Sequence, residues 1–225
     1  MIIISGASRG IGNAIFEDLK EKNINVIGIS RKGDLKKGII ECDISDFNSV
    51  KSVASKIKKE HKNIYAFINA AGIASMNLAL ATPDETTKNI ISTNLMGTIF
   101  TNQLFAPLII RSKKPGRIIN FSTLAIKLGI KGEAVYIASK AAVEAYSRSL
   151  ARELSAFNIT VNCIAPGPIK TDLLRGVSEK QIDDIISQQI FPKVCDVKDV
   201  VNQIHMLLSE QANLVSGQTI HVGGA

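Results

Sequence analysis

The sequence predicts an α/β fold: one doubly wound, Rossmann-type domain over 1–225, built on a parallel sheet of about seven strands. Three observations carry that prediction. Short β-branched runs alternate with segments of helical period along the whole chain, and parallel strands need crossover helices. The first strand runs straight into glycines 6, 10 and 12 and then into a helix, the phosphate-binding pattern of such sheets. The 225 residues are 45% apolar, enough for one large core, with no linker, repeat or composition shift to mark a second domain.

The elements follow in order. Positions 2–5 (IIIS) form an apolar run of a strand buried on both faces. Over 11–22 the apolar residues Ile11, Ala14, Ile15 and Leu19 recur at helical spacing. NVIGIS at 25–30 is a second strand, and 39–42 a third. Only 31–38 lie between these two, too few for an ordinary crossover helix, so a loop or single turn is expected. Asp46 caps a helix to about 59, and 65–69 is the fourth strand. Thr82 and Pro83 read as an N-cap and N1 pair opening a helical stretch to about 110, broken near 94–97. RIINFS at 117–122 is the fifth strand. A long helix covers about 133–156, and ITVNCIA at 159–165 is the sixth strand. A polar, mixed stretch at 171–192, with little core pattern, reads as a mobile substrate lid. Asp196 caps a further helix with Asp199 in its first turn, and 218–222 closes the sheet.

Composition narrows the function. Lys and Arg outnumber Asp and Glu by 27 to 20. A lysine-rich solvated surface explains this, and so does an anionic ligand. The basic residues are scattered and aromatics are sparse, which argues against nucleic acid as a partner. Cysteines 42, 163 and 195 are widely spaced, with no metal-ligand spacing and no disulfide framework. No segment has the length and apolarity of a membrane span or a signal peptide. The expectation is a soluble cytoplasmic protein with no metal.

A strand, a tight glycine turn and a helix N-terminus together make a phosphate site, because backbone N–H groups and the helix dipole favour a pyrophosphate. Gly6 permits the turn, Gly10 lets the backbone approach the phosphates, and Gly12 lets the helix pack closely. The spacing is G-x-x-x-G-x-G.

GASRGIG at 6–12 resembles the cofactor turn of the short-chain dehydrogenase/reductases. NAAG at 69–72 is similar to that family's motif after strand four. Asn94 matches its helix asparagine, and YIASK at 136–140 its Y-x-x-x-K signature. PGPIKT at 166–171 and SGQTIHVGGA at 216–225 resemble its later segments. The motifs stand in the family's order and span nearly the whole chain.

The resemblance implies a nicotinamide dinucleotide cofactor. Folds that use NAD carry an acid at the end of strand two. Here Ser30 and Arg31 stand there, so Arg9 and Arg31, assisted by Lys32, are expected to clamp the 2′-phosphate of NADP(H). Ser8 and Ile11 belong to the same turn. By resemblance Asp43 contacts the adenine with the Ile44 backbone nearby; a turn aspartate is the alternative. Asn69, Ala70, Ala71 and Gly72 would lie under the adenine ribose. Pro166, Gly167, Ile169 and Thr171 would sit beside the nicotinamide.

The resemblance also implies carbonyl reduction to a secondary alcohol. Tyr136 and Lys140 stand four apart on one helix and share a face. An ammonium nearby favours the phenolate, moving a phenol with an ordinary pKa near 10 towards acid/base chemistry. Lys140 would also bond the nicotinamide ribose, and Asn94 would link Lys140 to solvent through a water. The hydroxyl that steadies the substrate oxygen is Thr123, thirteen residues before the tyrosine, with Ser122 as the alternative. His61, His205 and His221 lack metal-binding partners nearby in sequence; His205 reads as packed on the apolar face of its helix.

SLARELSAFNITVNCIAPGPIKTD is similar to the 3-oxoacyl-acyl-carrier-protein reductases. Two departures stand out: the compact 31–38 connection, and the absence of a positive charge at 156–158, where the subgroup tends to carry basic residues for an acidic carrier. Lys113 and Lys114 are substitutes. A general NADPH-dependent ketone reductase therefore comes first, with a carrier-bound 3-oxoacyl thioester as one candidate substrate. Loops at 74–80, 125–131 and 171–192 would shape the pocket. Alternatives are an NAD(P)+-dependent alcohol dehydrogenase and a non-catalytic NADP(H)-binding sensor. The resemblance implies a homo-tetramer, assembled through the helices at about 84–110 and 133–156 and the last strand.

Overall fold

The computed structural model describes residues 1–169 and 179–224. Its sheet has seven parallel strands in the order β3-β2-β1-β4-β5-β6-β7. The strands are β1 (Ile2–Ser5), β2 (Val26–Ser30), β3 (Ile39–Glu41), β4 (Ala66–Asn69), β5 (Gly116–Phe121), β6 (Ile159–Pro166) and β7 (Thr219–Val222). The helices are α1 (Gly10–Glu21), α2 (Phe47–Glu60), α3 (Asp84–Ile90), α4 (Gly97–Arg111), α5 (Ala125–Leu128), α6 (Ala134–Leu154), α7 (Glu179–Ser187) and α8 (Val197–Leu208). A π-helical turn, Ile91–Met96, joins α3 to α4.

Strand β1 explains the layering. Alternate side chains leave opposite faces, so Ile2 and Ile4 enter one core with Ile15, Phe16, Leu19 and Ile204. Ile3 enters the other, with Val50, Ile57, Phe105 and Ile109. Both faces are covered, so the run is apolar without alternation. Because β1 pairs with β2 on one side and β4 on the other, the strand order reverses there. In doubly wound sheets ligands bind beyond the carboxyl ends of the strands at such a reversal, here β1 and β4.

The short connection after β2 is a single turn, as the spacing predicts. Asp34 bridges Ile39, and Gly38 turns the chain at φ +87°. Phe16 of α1 packs against this connection. A methyl on Gly28 would come within 3.2 Å of its ring, and one on Gly38 within 4.0 Å.

Three expectations need correction. Pro83, not Thr82, is the N-cap of α3; the Thr82 hydroxyl turns back the other way and donates to the Leu78 carbonyl at 3.0 Å. The stretch expected to lack core pattern contains α7, because Ile182, Ile185 and Ile186 fall on one helical stripe and Ile186 is buried; positions 171–178 lie outside the described residues. His205 is not simply packed. Its Nε2 sits 2.6 Å from Asp18 Oδ2 and 2.9 Å from Lys22 Nζ, tying α8 to α1. Burial pulls the Asp18 carboxyl up, but hydrogen bonds from Lys22 and His205 outweigh it and hold the group below the usual range.

Among the described residues no helix is long and apolar enough to cross a membrane. No cluster of His, Cys, Asp or Glu there fits a metal ion.

Candidate active site

The glycine turn forms first, from local constraints. Gly6 takes φ +71°, and a methyl on it would lie 2.9 Å from the backbone of Ala71. The turn after β1 therefore packs directly on the segment after β4. A methyl on Gly12 would lie 2.4 Å from the Gly6 carbonyl oxygen, so α1 packs tightly on the turn itself. Gly10 has open space but φ +59°, a conformation that disfavours any other residue. Arg9 is the N-cap of α1 and makes no side-chain cap, and the first turn holds no acid. The helix N–H groups near Gly10, Ile11 and Gly12 therefore have no side-chain carboxylate competing for them. This cradle fits a pyrophosphate. Ser8 and Arg9 are exposed on the turn, and Arg31 and Lys32 are exposed at the end of β2. The Ser30 hydroxyl is turned inward, donating to the Lys32 carbonyl at 2.6 Å.

Asp43 adopts the turn arrangement. Its Oδ1 accepts from the Ser45 N–H at 2.9 Å and the Ser45 hydroxyl at 2.7 Å. Ile44 is buried, and a methyl on Gly97 would lie 2.8 Å from its Cδ1.

Asn69 organises the strand ends. The Ser5 hydroxyl donates to its Oδ1 at 2.5 Å, and its Nδ2 donates to Thr98 Oγ1 at 2.9 Å. The Ala71 N–H donates to Ser5 Oγ at 3.2 Å, which pins Ala70 and Ala71 against Gly6. Thr98 in turn donates to the Asn94 carbonyl at 2.6 Å. Asn94 lies in the π turn, a distortion common at functional sites. Its side-chain amide is committed to the chain: Oδ1 accepts from Ile73 N–H at 2.9 Å, and Nδ2 donates to the Ile73 carbonyl at 2.8 Å and to Ser139 at 3.0 Å. A methyl on Gly72 would lie 3.3 Å from both Asn94 Oδ1 and Lys140 Nζ. Glycine at 72 thus lets the asparagine and the lysine flank the same point of backbone.

The end of β5 meets one face of α6. Lys140 is 4% exposed, and its ammonium donates to the Phe121 carbonyl at 2.8 Å. Burial lowers its pKa from 10.5 to about 8. Tyr136 is also buried, and burial pushes its phenol above the ordinary value; a hydrogen-bonding contact with Thr123 works against that rise, and Glu133 adds to it. This reverses the expected direction: loss of solvation disfavours the phenolate more than the Thr123 hydrogen bond favours it. The two adjacent hydroxyls part company here. Thr123 faces Tyr136, and Ser122 donates to Glu144 at 2.6 Å.

Beyond β6, the Pro166 carbonyl accepts from Leu124 N–H at 2.9 Å, joining this edge to the residue after Thr123. A methyl on Gly167 would lie 2.5 Å from the Gln189 amide oxygen. Ile169 is buried, and Thr171 lies outside the described residues. Sequence reasoning missed Ser5, Ser139 and Glu144. Only Glu144 left a signal, four residues after Lys140 on the same helix.

The sequence model of the family described as enoyl-(acyl carrier protein) reductase matches residues 6–224. The chain is 34% identical over 233 aligned positions to the 3-oxoacyl-[acyl-carrier-protein] reductase FabG of Escherichia coli (strain K12), covering 99% of this chain and 95% of that protein. It is 32% identical over 236 positions to the FabG of Staphylococcus aureus (strain Mu50), covering 99% and 96%. Among solved structures, 4-hydroxyisoleucine dehydrogenase complexed with NADH superposes with a TM-score of 0.90 at 28% identity, covering 99% of this chain and 97% of that one. The ligand-free aldohexose dehydrogenase of Thermoplasma acidophilum gives 0.88 at 29% identity, covering 99% and 92%. With the glycine turn, the Tyr136–Lys140 face and these relatives in hand, the chain belongs to the short-chain dehydrogenase/reductase family and is an oxidoreductase of its Rossmann-type fold.

Proposed function

We propose that the protein reduces a ketone to a secondary alcohol with NADPH, with Tyr136 as the proton donor. One observation carries this reading: a buried phenol, contacted by the Thr123 hydroxyl and followed one helical turn later by a buried lysine. A phenol held above its ordinary pKa is protonated at neutral pH, the form a reductase needs.

When bound, the reduced nicotinamide supplies the hydride. The chain supplies everything else. The Gly6–Gly12 turn and the start of α1 receive the pyrophosphate, and Asn69, Ala70, Ala71 and Gly72 line the adenine ribose. Pro166, Gly167, Ile169 and Thr171 would hold the nicotinamide carboxamide. Thr123 steadies the carbonyl oxygen, and Tyr136 gives that oxygen its proton. Lys140 holds the nicotinamide ribose. Asn94 stands across Gly72 from Lys140, and a water held beside it would link Lys140 to solvent.

Arg31, with Arg9 and Lys32, supports NADPH over NADH. No carboxylate ends β2, and a guanidinium there complements a 2′-phosphate. Asp43 and Ile44 border the adenine. Arg31→Asp is expected to weaken NADPH binding at least tenfold more than NADH binding, measured by fluorescence titration; equal losses would remove the arginine from cofactor choice.

The substrate class is a partly apolar ketone, for which a 3-oxoacyl thioester is the first candidate, since the curated relatives carry that activity in their names. Lys113 and Lys114 stand before β5 as basic contacts for a carrier. NADPH oxidation followed at 340 nm against a ketone panel, including a short 3-oxoacyl thioester, tests the reading. Turnover on a ketone supports it. Tight NADPH binding without turnover on any carbonyl would turn the conclusion to a cofactor-binding sensor.

A further inference from the structure

We propose that Glu144 is a positioning residue for the reduction: acting through Ser122, its carboxylate fixes the end of β5 so that the Thr123 hydroxyl stays against the Tyr136 phenol. The inference rests on the reductase reading above.

The geometry is a three-rung ladder. Tyr136, Lys140 and Glu144 follow one another by single helical turns along α6. Opposite them, three consecutive residues leave β5. The Phe121 carbonyl accepts from Lys140 at 2.8 Å, the Ser122 hydroxyl donates to Glu144 Oε1 at 2.6 Å, and Thr123 contacts Tyr136. The middle rung is short and involves a carboxylate, and such hydrogen bonds are about twice as strong as neutral ones. Ser122 is buried, so losing its acceptor has a cost that an exposed serine would not feel.

The backbone ladder to β6 runs on past the end of β5: Ser122 N–H donates to the Ile164 carbonyl at 2.8 Å and Leu124 N–H to the Pro166 carbonyl at 2.9 Å. Alternate residues of a parallel pair turn their backbone groups to opposite sides, so Thr123, between these two, is not held by β6. Its Oγ1 accepts from Ala125 N–H at 3.2 Å, a weak local tether. Ser122 and its partner therefore form the side-chain anchor next to the residue that must face the phenol. The same bond commits the Ser122 proton to Glu144, which leaves Thr123 as the hydroxyl for the substrate. His221 of β7 and Cys163 of β6 also feel the Glu144 charge.

The test compares Glu144→Ala, Ser122→Ala, their combination and Glu144→Gln in the full chain, with two readouts. The first is kcat and NADPH affinity. Both alanine variants should lose about tenfold in kcat, about 1.4 kcal/mol, with NADPH affinity unchanged. The double variant should be no worse than either single one, and Glu144→Gln, which keeps an acceptor, should stay within about threefold of the native chain. The second is the ring-carbon NMR resonance of Tyr136. It is one of three tyrosines and is assigned by its disappearance in Tyr136→Phe. It should move in both alanine variants and stay in Glu144→Gln.

Additive losses in the double variant, or an unmoved Tyr136 resonance in folded Glu144→Ala, would overturn the proposal. If the alanine variants do not fold, Glu144→Gln decides: a shifted resonance with kcat lowered tenfold would also overturn it. If the native chain reduces no ketone, the reductase reading fails on its own, and the resonance still reports whether Glu144 holds Thr123 against Tyr136.

Discussion

Lys140 shows what the site costs the fold. Its ammonium is buried with a single carbonyl partner among the described residues, and its pKa falls from 10.5 to about 8. The unfolded chain therefore binds a proton more tightly than the folded one between those two values. Stability contributed by this group is lowest below about pH 8 and recovers as pH rises towards 10.5. The shift corresponds to about 3 kcal/mol at neutral pH, and the hydrogen bond to Phe121 offsets about 1 kcal/mol of that. Lys140→Met is expected to raise stability by about 2 kcal/mol at pH 7, read by thermal or urea unfolding, while removing activity. A less stable variant would show that the ammonium is better solvated than its burial implies. At the same scale, the choice of Thr123 over Ser122 was legible only through the family's spacing to the tyrosine. Both hydroxyls meet α6, and only the docking of that helix on the end of β5 fixes that Ser122 reaches Glu144 and Thr123 reaches Tyr136. Thr123→Val is expected to lower kcat about a hundredfold, within the usual range for a positioned proton-transfer partner, with steady-state turnover as the check.

The elements differ in how openly they announce themselves. β1 and α1 were readable almost to the residue, because a two-faced apolar run, a glycine turn and a 3.6-residue period are all local signals. The capping box of α8, with Asp196 and Asp199 as reciprocal partners, was equally plain. α7 was not, since three isoleucines in a polar stretch make a stripe only once the helix is assumed. The π turn showed itself only as a break near Asn94. Its extra residue is explained by long-range bonds from Asn94 to Ile73 and Ser139, which no local pattern encodes. Gly12→Ala tests the first element directly. Its methyl would meet the Gly6 carbonyl at 2.4 Å, and backbone has no cheap way to yield. NADPH binding should weaken at least tenfold. Gly10→Ala faces no such contact and should bear only the positive-φ penalty of about 1 kcal/mol. Equal effects on the two binding curves would mean that the turn is not the cofactor's cradle.

At the level of the whole molecule, the alternation of strands and helices predicted the sheet, and the paired registers bear it out from β3 through β7. What alternation does not encode is how distant layers are stitched. Arg117, 1% exposed, donates to the carbonyls of Leu207 and Ser209 and so joins β5 to the end of α8. In sequence it stood only as the first residue of the fifth strand. Assembly belongs to this scale too. A homo-tetramer is proposed from the family, and light scattering is expected to give four times the 24.2 kDa chain; a monomer mass would contradict it. The account as a whole rests on a proton leaving the Tyr136 hydroxyl. The most direct measurement pairs NADPH binding with NADPH-dependent ketone reduction in the native chain and in Tyr136→Phe. The account predicts that the variant binds NADPH normally and loses turnover by about a thousandfold. A variant that reduces the same ketone at the native rate would contradict it.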